Sequence, residues 1–373
     1  MAEETLTLTV ARPAGPTWLA TLAEAVDERL ASFVATESAA LVALDPRLDL
    51  LASTARDAVL GGGKRLRPVF AYWGWRACGG QEPTERVLPA LSALELLHAF
   101  ALVHDDVMDR SATRRGRPTA HRALAAAHER SGLTGASERF GDSTAVLVGD
   151  LCLVWADRLM AQALVPATAL AAARQAYDVM RVEAIAGQFL DVLGEHSPEW
   201  TVDRALRVAR LKTAGYTVVR PLHFGGALAG RLDSSAAAAF TRYGVSVGEA
   251  FQLRDDLLGV FGEPARTGKP AGDDLAQGKP TVLIQLARTA ASGPSRIEID
   301  ALLDRCRGEA PPDPDQLRRL TELIESTGAP ERVREMITER VTAGVEALAT
   351  APITDDARSA LTSLAYAAAW RSA

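Results

Sequence analysis

Cysteine is scarce: the 373 residues contain three, Cys78, Cys152 and Cys306. None forms a CxxC pair and the count is odd, so a disulfide framework is not indicated, and a reducing cytoplasmic setting is the simplest reading. Long apolar runs are missing. No stretch approaches the roughly 18 residues of a membrane span, and the start, MAEETLTLTVARPAGP, is acidic and lacks a continuous apolar signal core. Positive charge is not in excess. The 41 Lys and Arg against 47 Asp and Glu leave a net charge of −6, which gives no support for general nucleic-acid binding. No GxxxxGK[ST] nucleotide loop occurs. There is also no internal repeat and no composition shift marking a domain boundary. With 48% hydrophobic and 24% charged residues, the chain has the make-up of a globular protein with a sizeable core.

Helix formers fill most of the length. Apolar residues recur at three- and four-residue steps near 17–46, 84–109, 143–163, 167–193, 233–261 and 328–349. Breakers separate these segments: GGGKRLRP, GGQEP, RGRPT, GEPARTGKPAGD and GEAPPDPD. The clearest strand-like alternation is LTLTV at 6–10, and it is short. Residues 131–143, SGLTGASERFGDS, read as a surface loop, and 1–16 as a flexible arm. The expectation is an all-α fold, with one helical domain over 17–373.

Within it, HDDVMD at 104–109 sets three aspartates beside the apolar stretch ELLHAFALV. Buried carboxylates protonate unless a counter-charge is present, and these suggest one that the chain itself does not supply. At about 100° per residue, Asp105 and Asp109 lie roughly 40° apart, one turn along the same face. His98 shares that face two turns below, with Ala101 between, while Asp106 points about 100° away. Two carboxylates one turn apart suit Mg²⁺, which keeps waters and takes phosphate oxygens. A solvated acidic helix end is the plainer reading of this motif taken alone.

A second acidic pair lies 150 residues on. In FQLRDDLLG, Asp255 and Asp256 are flanked by apolar residues, and Gly248, Gln252, Asp255 and Gly259 share a helical face. Two such helices facing across a cleft would hold metal ions between them and take a phosphate-rich substrate. Basic runs complete the pattern. GGGKRLRP carries Lys64, Arg65 and Arg67 after three glycines and before a helix, and RSATRRGRPT carries Arg114 and Arg115. Lys212 and Thr213 follow a helix, and TGKPAGDDLAQGKPT adds Lys269 and Lys279. Each run by itself reads as a solvated surface patch. Together with two acidic helices they would neutralise a diphosphate through charge-assisted contacts.

His104 beside Asp105 also fits an HD phosphohydrolase metal motif. That site needs further His and Asp ligands in helical register. The chain has six histidines, and His121, His128, His196 and His223 form no obvious set.

The ordered set GGGKRLRP, ELLHAFALVHDDVMDRSATRRGRPT, GQFLD, KT, GEAFQLRDD and GKPAGDDLAQGKPT resembles the trans-isoprenyl diphosphate synthases of the polyprenyl synthetase family, from about residue 55 to 285. The resemblance implies ten or more helices around a deep cavity, usually in a homodimer. It implies Mg²⁺-assisted ionisation of an allylic diphosphate, with three ions when substrate is bound, attack on the cation by isopentenyl diphosphate, and loss of a proton. Carried over by motif, Asp105, Asp109 and Asp255 would bind Mg²⁺. Lys64, Arg67, His98 and Arg115 would contact isopentenyl diphosphate, and Arg114, Lys212, Lys269 and Lys279 the allylic diphosphate. Thr213 and Gln252 would stand near the reacting carbons. Asp106 and Asp256 would support the metal site, and Gln188 and Asp191 would face the cleft or bridge two helices.

One position departs from the family's second motif, DDxxD: here it is DDLLG, with Gly259 in the third aspartate's place. Some short-chain members resemble this variant. Phe100 and Ala101 would bound the product cavity. An aromatic five residues before the first aspartate, with no insertion in the motif, matches geranylgeranyl diphosphate as product, with farnesyl diphosphate next. A terpene cyclase would not need GGGKRLRP or the double arginine and would carry an Asn/Ser/Glu motif where FQLRDD stands. A non-catalytic helical subunit would be expected to have lost first-motif aspartates.

Overall fold

The computed structural model describes residues 17–81, 83–197, 200–262, 272–307 and 313–370. The expected arm and the LTLTV segment lie outside them. The described chain is helical almost throughout: α1 (Thr17–Leu44), α2 (Asp49–Leu60), α3 (Leu66–Ala77), α4 (Leu88–Met108), α5 (Ala120–Arg130), α6 (Ser137–Met160), α7 (Ala167–Glu195), α8 (Val202–Val208), a wider π-helical segment (Ala209–Val219), α9 (Arg220–Leu228) and α10 (Ser234–Phe261). After these come α11 (Asp273–Ala276), α12 (Val282–Ala290), α13 (Gly293–Cys306), α14 (Pro314–Ser326), α15 (Ala329–Ala349) and α16 (Asp355–Ala369).

The middle of the fold is α4, which packs on α1, α2, α3, α5 and α6. Its first half is enclosed on all sides and apolar apart from buried Ser92 and Glu95. Leu91, Leu94, Leu96 and Leu97 are all 2% exposed or less, and each such burial contributes about 1.5–3 kcal/mol. Pro89 sits in the first turn, where its missing N–H would be unpaired in any residue. On the other side, α10 packs on α15 and on the wide segment, and α7 packs on α9 and the wide segment.

Two local expectations change. The stretch 131–143 is a loop only in its first part, because α6 begins at Ser137. Gly141 does not break that helix. It is a contact point, where an added Cβ would lie 2.3 Å from the His121 carbonyl oxygen of α5. The basic run after α4 folds into a small antiparallel hairpin, Thr113–Arg114 with Arg117–Pro118. Its two central residues, Arg115 (φ 53°) and Gly116 (φ 73°), adopt the left-handed conformation that a two-residue hairpin turn demands.

All three cysteines are buried and unpaired. Burial pushes the Cys78 thiol up to about 11 and Cys152 to about 12, so both are inert packing groups. Among the described residues no helix is long and apolar enough to cross a membrane.

Candidate active site

The three aspartates of HDDVMD close α4 at its C-terminal end, where the helix dipole makes negative charge costlier still. Counter-charge for all three comes from the chain itself, unlike the expectation from the sequence. Lys212 Nζ donates to Asp105 Oδ1 at 2.9 Å and Lys279 Nζ to Asp109 Oδ2 at 2.5 Å. Asp106 turns inward, is buried, and receives the Arg114 guanidinium in a fork of 2.6, 2.9 and 3.0 Å. Arg114 also lies 3.6 Å from Asp105. Burial pulls the Asp105 carboxyl upward, but Lys212 and Lys279 outweigh it and hold it below the ordinary carboxylate range. Asp109 is held above that range, first by burial and then by the charge of Asp105.

The wide segment brings Lys212 into place. Lys212 and Thr213 lie inside a helical run from 202 to 228 rather than after a helix. Two glycines let neighbouring helices press on its backbone. A Cβ at Gly187 of α7 would meet the Lys212 nitrogen at 2.5 Å, and one at Gly248 of α10 would meet Ala214 Cα at 2.3 Å. Lys212 thereby also reaches Asp191 Oδ2 of α7, at 2.7 Å. Gln188, one turn before, reaches Met108 S on α4 at 3.9 Å.

Across the wide segment, the Thr213 hydroxyl donates to Gln252 Oε1 at 2.7 Å, and Gln252 Nε2 donates to Asp256 Oδ1 at 2.9 Å. Asp256 Oδ2 accepts the Val282 N–H at 3.2 Å. Residues 279–282 therefore tie the two aspartate pairs together, Lys279 to Asp109 and Val282 to Asp256. Asp255 is half-buried on α10, between Gln252 and the turn that carries Gly259. The carbonyl of Gly259 accepts the Gly272 N–H at 3.1 Å. Lys269 lies outside the described residues.

A second basic cluster forms at the lower part of α4. Arg67 lies over the Tyr216 ring at 4.3 Å and donates to Thr217 Oγ1 at 3.0 Å. Arg115 donates to the Gly62 carbonyl oxygen of the glycine loop. The His98 ring is 6.2 Å from Tyr216. Burial, then Arg67 and Arg115, hold its pKa well below the ordinary value, so the ring is neutral. Lys64 is exposed at the rim. Arg67, His98 and Arg115 thus come together.

Residues 49–323 match the polyprenyl synthetase family. The chain belongs to that family. It is 35% identical over 286 residues to a geranylgeranyl diphosphate synthase of Mycobacterium tuberculosis, covering 77% of this chain and 75% of that one. It is 34% identical over 286 residues to a geranylfarnesyl diphosphate synthase of Aeropyrum pernix, covering 75% and 81%. Among solved structures, a geranylgeranyl pyrophosphate synthase from Corynebacterium glutamicum, complexed with isoprenyl diphosphate and magnesium, aligns with a TM-score of 0.89 at 40% identity, over 95% of this chain and 99% of that one. This polyprenyl synthetase is therefore a prenyltransferase of short-chain trans-prenyl diphosphate synthesis, with the all-α isoprenoid synthase fold.

The donor set suits a hard cation: Asp105, Asp109 and Asp255 offer only oxygen. Among the described residues no three His, Cys, Asp or Glu side chains converge to enclose a metal alone. Mg²⁺ sites draw few ligands from the protein and keep waters and substrate phosphate as the rest.

Three contributors in this family member went unassigned in the sequence. Arg65 is buried in a left-handed conformation and pairs with Glu95 at 2.9 Å and Asp27 at 2.7 Å, which fixes the loop that presents Lys64 and Arg67. Tyr216 supplies the ring under Arg67. Glu195 stands one turn past Asp191, and burial raises its carboxyl to about 7. A second acidic residue four positions after Asp191 was the available signal.

Proposed function

We propose that the chain condenses isopentenyl diphosphate with an allylic diphosphate (dimethylallyl, geranyl or farnesyl) head to tail, with geranylgeranyl diphosphate as product. One observation carries this reading. Two separate cationic clusters stand along one face of α4, and His98 and Asp105 are seven residues, about 10 Å, apart along its axis. That is room for two diphosphates, one per cluster, with their carbon chains between.

Lys64, Arg67 and Arg115 would bind isopentenyl diphosphate, with neutral His98 as a hydrogen-bond partner. Asp105, Asp109 and Asp255 would hold Mg²⁺. Bound there, the metal supplies positive charge against the departing diphosphate. Lys212, Lys279, Lys269 and Arg114 would take the remaining negative charge as the allylic C–O bond breaks and its electron pair leaves with oxygen. The double bond of isopentenyl diphosphate then attacks the allylic carbon, and the new cation loses a proton. Thr213 and Gln252 would border that cation with oxygen lone pairs. Water has to be excluded, since it would capture the cation.

Chain length would be set below the aspartates. Phe100 leans edge-on against His104, ring centroids 4.7 Å apart, and His104 bonds the Val146 carbonyl oxygen of α6 at 2.9 Å. Phe100, so braced, would serve as a floor, and Ala101 would leave room beside it. Farnesyl diphosphate is the second reading of the product.

A homodimer is proposed from an apolar stripe on α7. Val182, Ile185 and Phe189 are 67%, 58% and 66% exposed at three- and four-residue steps, and Leu147 and Val154 are exposed one heptad apart on α6. A contiguous apolar face of this kind marks a protein interface. We propose a cytoplasmic location from membership of the family.

The test is incubation with isopentenyl diphosphate and each primer in turn, with and without Mg²⁺, followed by chain-length analysis. A twenty-carbon product that requires Mg²⁺ is expected. Inactivity with every primer would favour a non-catalytic subunit, and a cyclic hydrocarbon a cyclase.

A further inference from the structure

We propose that Asp256 is a positioning residue that fixes the polarity of the Gln252 amide and, through it, of the Thr213 hydroxyl. The inference rests on the functional reading above, in which those two groups border the reacting carbons. Asp256 is buried, 3% exposed. A carboxylate offers only lone pairs. Gln252 must therefore turn its NH₂ toward Asp256 Oδ1, at 2.9 Å. Its Oε1 then faces Thr213 and takes the hydroxyl proton at 2.7 Å. With that proton committed, the remaining lone pairs of the threonine oxygen are left to face the cleft. Flipped end for end, the amide would set N–H groups where the oxygen now stands. It would then hold partial positive charge next to an allylic cation. An amide that settled either way would lose this distinction, and Asp256 removes the choice.

Asp256 does a second thing at the same time. Its other oxygen accepts the Val282 N–H at 3.2 Å, three residues after Lys279, which reaches Asp109. The carboxylate that orients the groups bordering the cation also anchors the segment that delivers a cation to the first aspartate pair. The arrangement mirrors Asp106, which is likewise buried and grips Arg114. In each DD pair the second aspartate is buried and holds neighbouring protein groups, Arg114 in one and Gln252 with Val282 in the other.

The test is a pair of variants. In D256N the new amide can still accept from Val282 N–H, but it offers its own NH₂ to Gln252 and permits the flipped amide. We expect kcat to fall at least tenfold, with KM for both diphosphates within twofold of wild type. The double variant D256N/Q252E restores the bonding sense at unchanged net charge: the carboxylate introduced at 252 accepts from the amide introduced at 256 on one side and from Thr213 on the other. It should recover most of the lost kcat, which a general loss of packing would not allow. A readout independent of turnover is solvent exchange of the Gln252 side-chain amide protons in protein labelled with ¹⁵N-glutamine, assigned by their disappearance in Q252M. They should exchange slowly in wild type and faster in D256N. Unchanged kcat in D256N, a double variant no better than D256N, or fast exchange in wild type overturns the proposal alone. Wild-type protein inactive with every primer removes the functional reading beneath it, and the role of Asp256 with it.

Discussion

Asp105 of α4 and Asp191 of α7 share one ammonium: Lys212 Nζ lies 2.9 Å from Asp105 Oδ1 and 2.7 Å from Asp191 Oδ2. Burial alone would lower the Lys212 pKa, but the two carboxylates raise it. Lysine thus stands against a carboxylate proposed to take Mg²⁺. Removing the lysine leaves two carboxylates facing across the cleft, and like charges so placed repel. In metal-free buffer, Lys212→Met should therefore lower the melting temperature. Added Mg²⁺ should raise that temperature by more than it does in wild type. Turnover should fall by about 10²–10³, the usual loss on removing one group that stabilises developing charge. Thermal melts with and without Mg²⁺, beside a product assay, check both parts.

Asp255 and Gly259 differ in what each contributes. Asp255 is the proposed oxygen donor of the second acidic helix, whereas Gly259 offers its carbonyl to Gly272. Asp255→Asn should reduce kcat by about a hundredfold or more, through the same loss of charge stabilisation. Gly259→Asp should stay within threefold of wild type, since position 259 is helical and a side chain there needs no unusual backbone. Full activity of the Asp255 variant at saturating Mg²⁺ would remove Asp255 from the metal site.

Much of this site could be read from spacing. Helical phase placed Asp105 and Asp109 on one face and turned Asp106 away, and that holds. Periodicity cannot say what a residue meets when it turns away. The motif points Arg114 at a substrate diphosphate and is silent on its grip on Asp106. Residues 131–143 read as a loop because a glycine such as Gly141 has no side chain to announce a close helix crossing. Lys212 and Thr213 sit in a π-helical stretch whose extra width is set by the helices pressing on it, through Gly187 and Gly248. These are facts of tertiary contact, and the local sequence holds no record of them.

Phe100→Ala should lengthen the product. The ring is held by His104, and His104 by the α6 backbone, so removing it opens space rather than letting a neighbour fill it. Product chromatography should show a shift of one or more five-carbon units. An unchanged product would mean that Phe100 is not the floor.

Glu195 gives a pH dependence with a definite sign. Burial raises its carboxyl to about 7; Asp109 and Asp191 add to this, and Lys279 and Lys212 oppose it. The folded chain thus holds this proton more tightly than the unfolded chain, where a glutamate titrates near 4.5. The stability tied to Glu195 is fully present below about 4.5, is lost as pH rises to about 7, and is constant above. Glu195→Gln removes that loss. In metal-free buffer the variant and wild type should melt together near pH 4, separate between pH 5 and 7, and differ most at pH 8, with the variant the more stable. A gap that narrows with rising pH would contradict the assignment.

The apolar stripe on α7 predicts what a single charge should do. Phe189 lies in GQFLD, beside the residues that face the cleft, yet its own side chain is 66% exposed. Neighbours along α7, Val182 and Ile185, are exposed on the same side. If a second copy covers this face, an aspartate at 189 must be buried against apolar surface, which is costly without a partner. Light scattering on a sizing column should then give twice the chain mass for wild type and the single-chain mass for Phe189→Asp. Gln188 and Asp191, on either side of Phe189, point toward α4 and Lys212. The helix that would carry the interface is therefore the one that positions Lys212. Loss of the dimer should lower turnover along with mass, and mixing with excess wild-type chains should not restore the variant's own share of activity. A wild type that runs as a single chain would leave the stripe without a partner of its own kind.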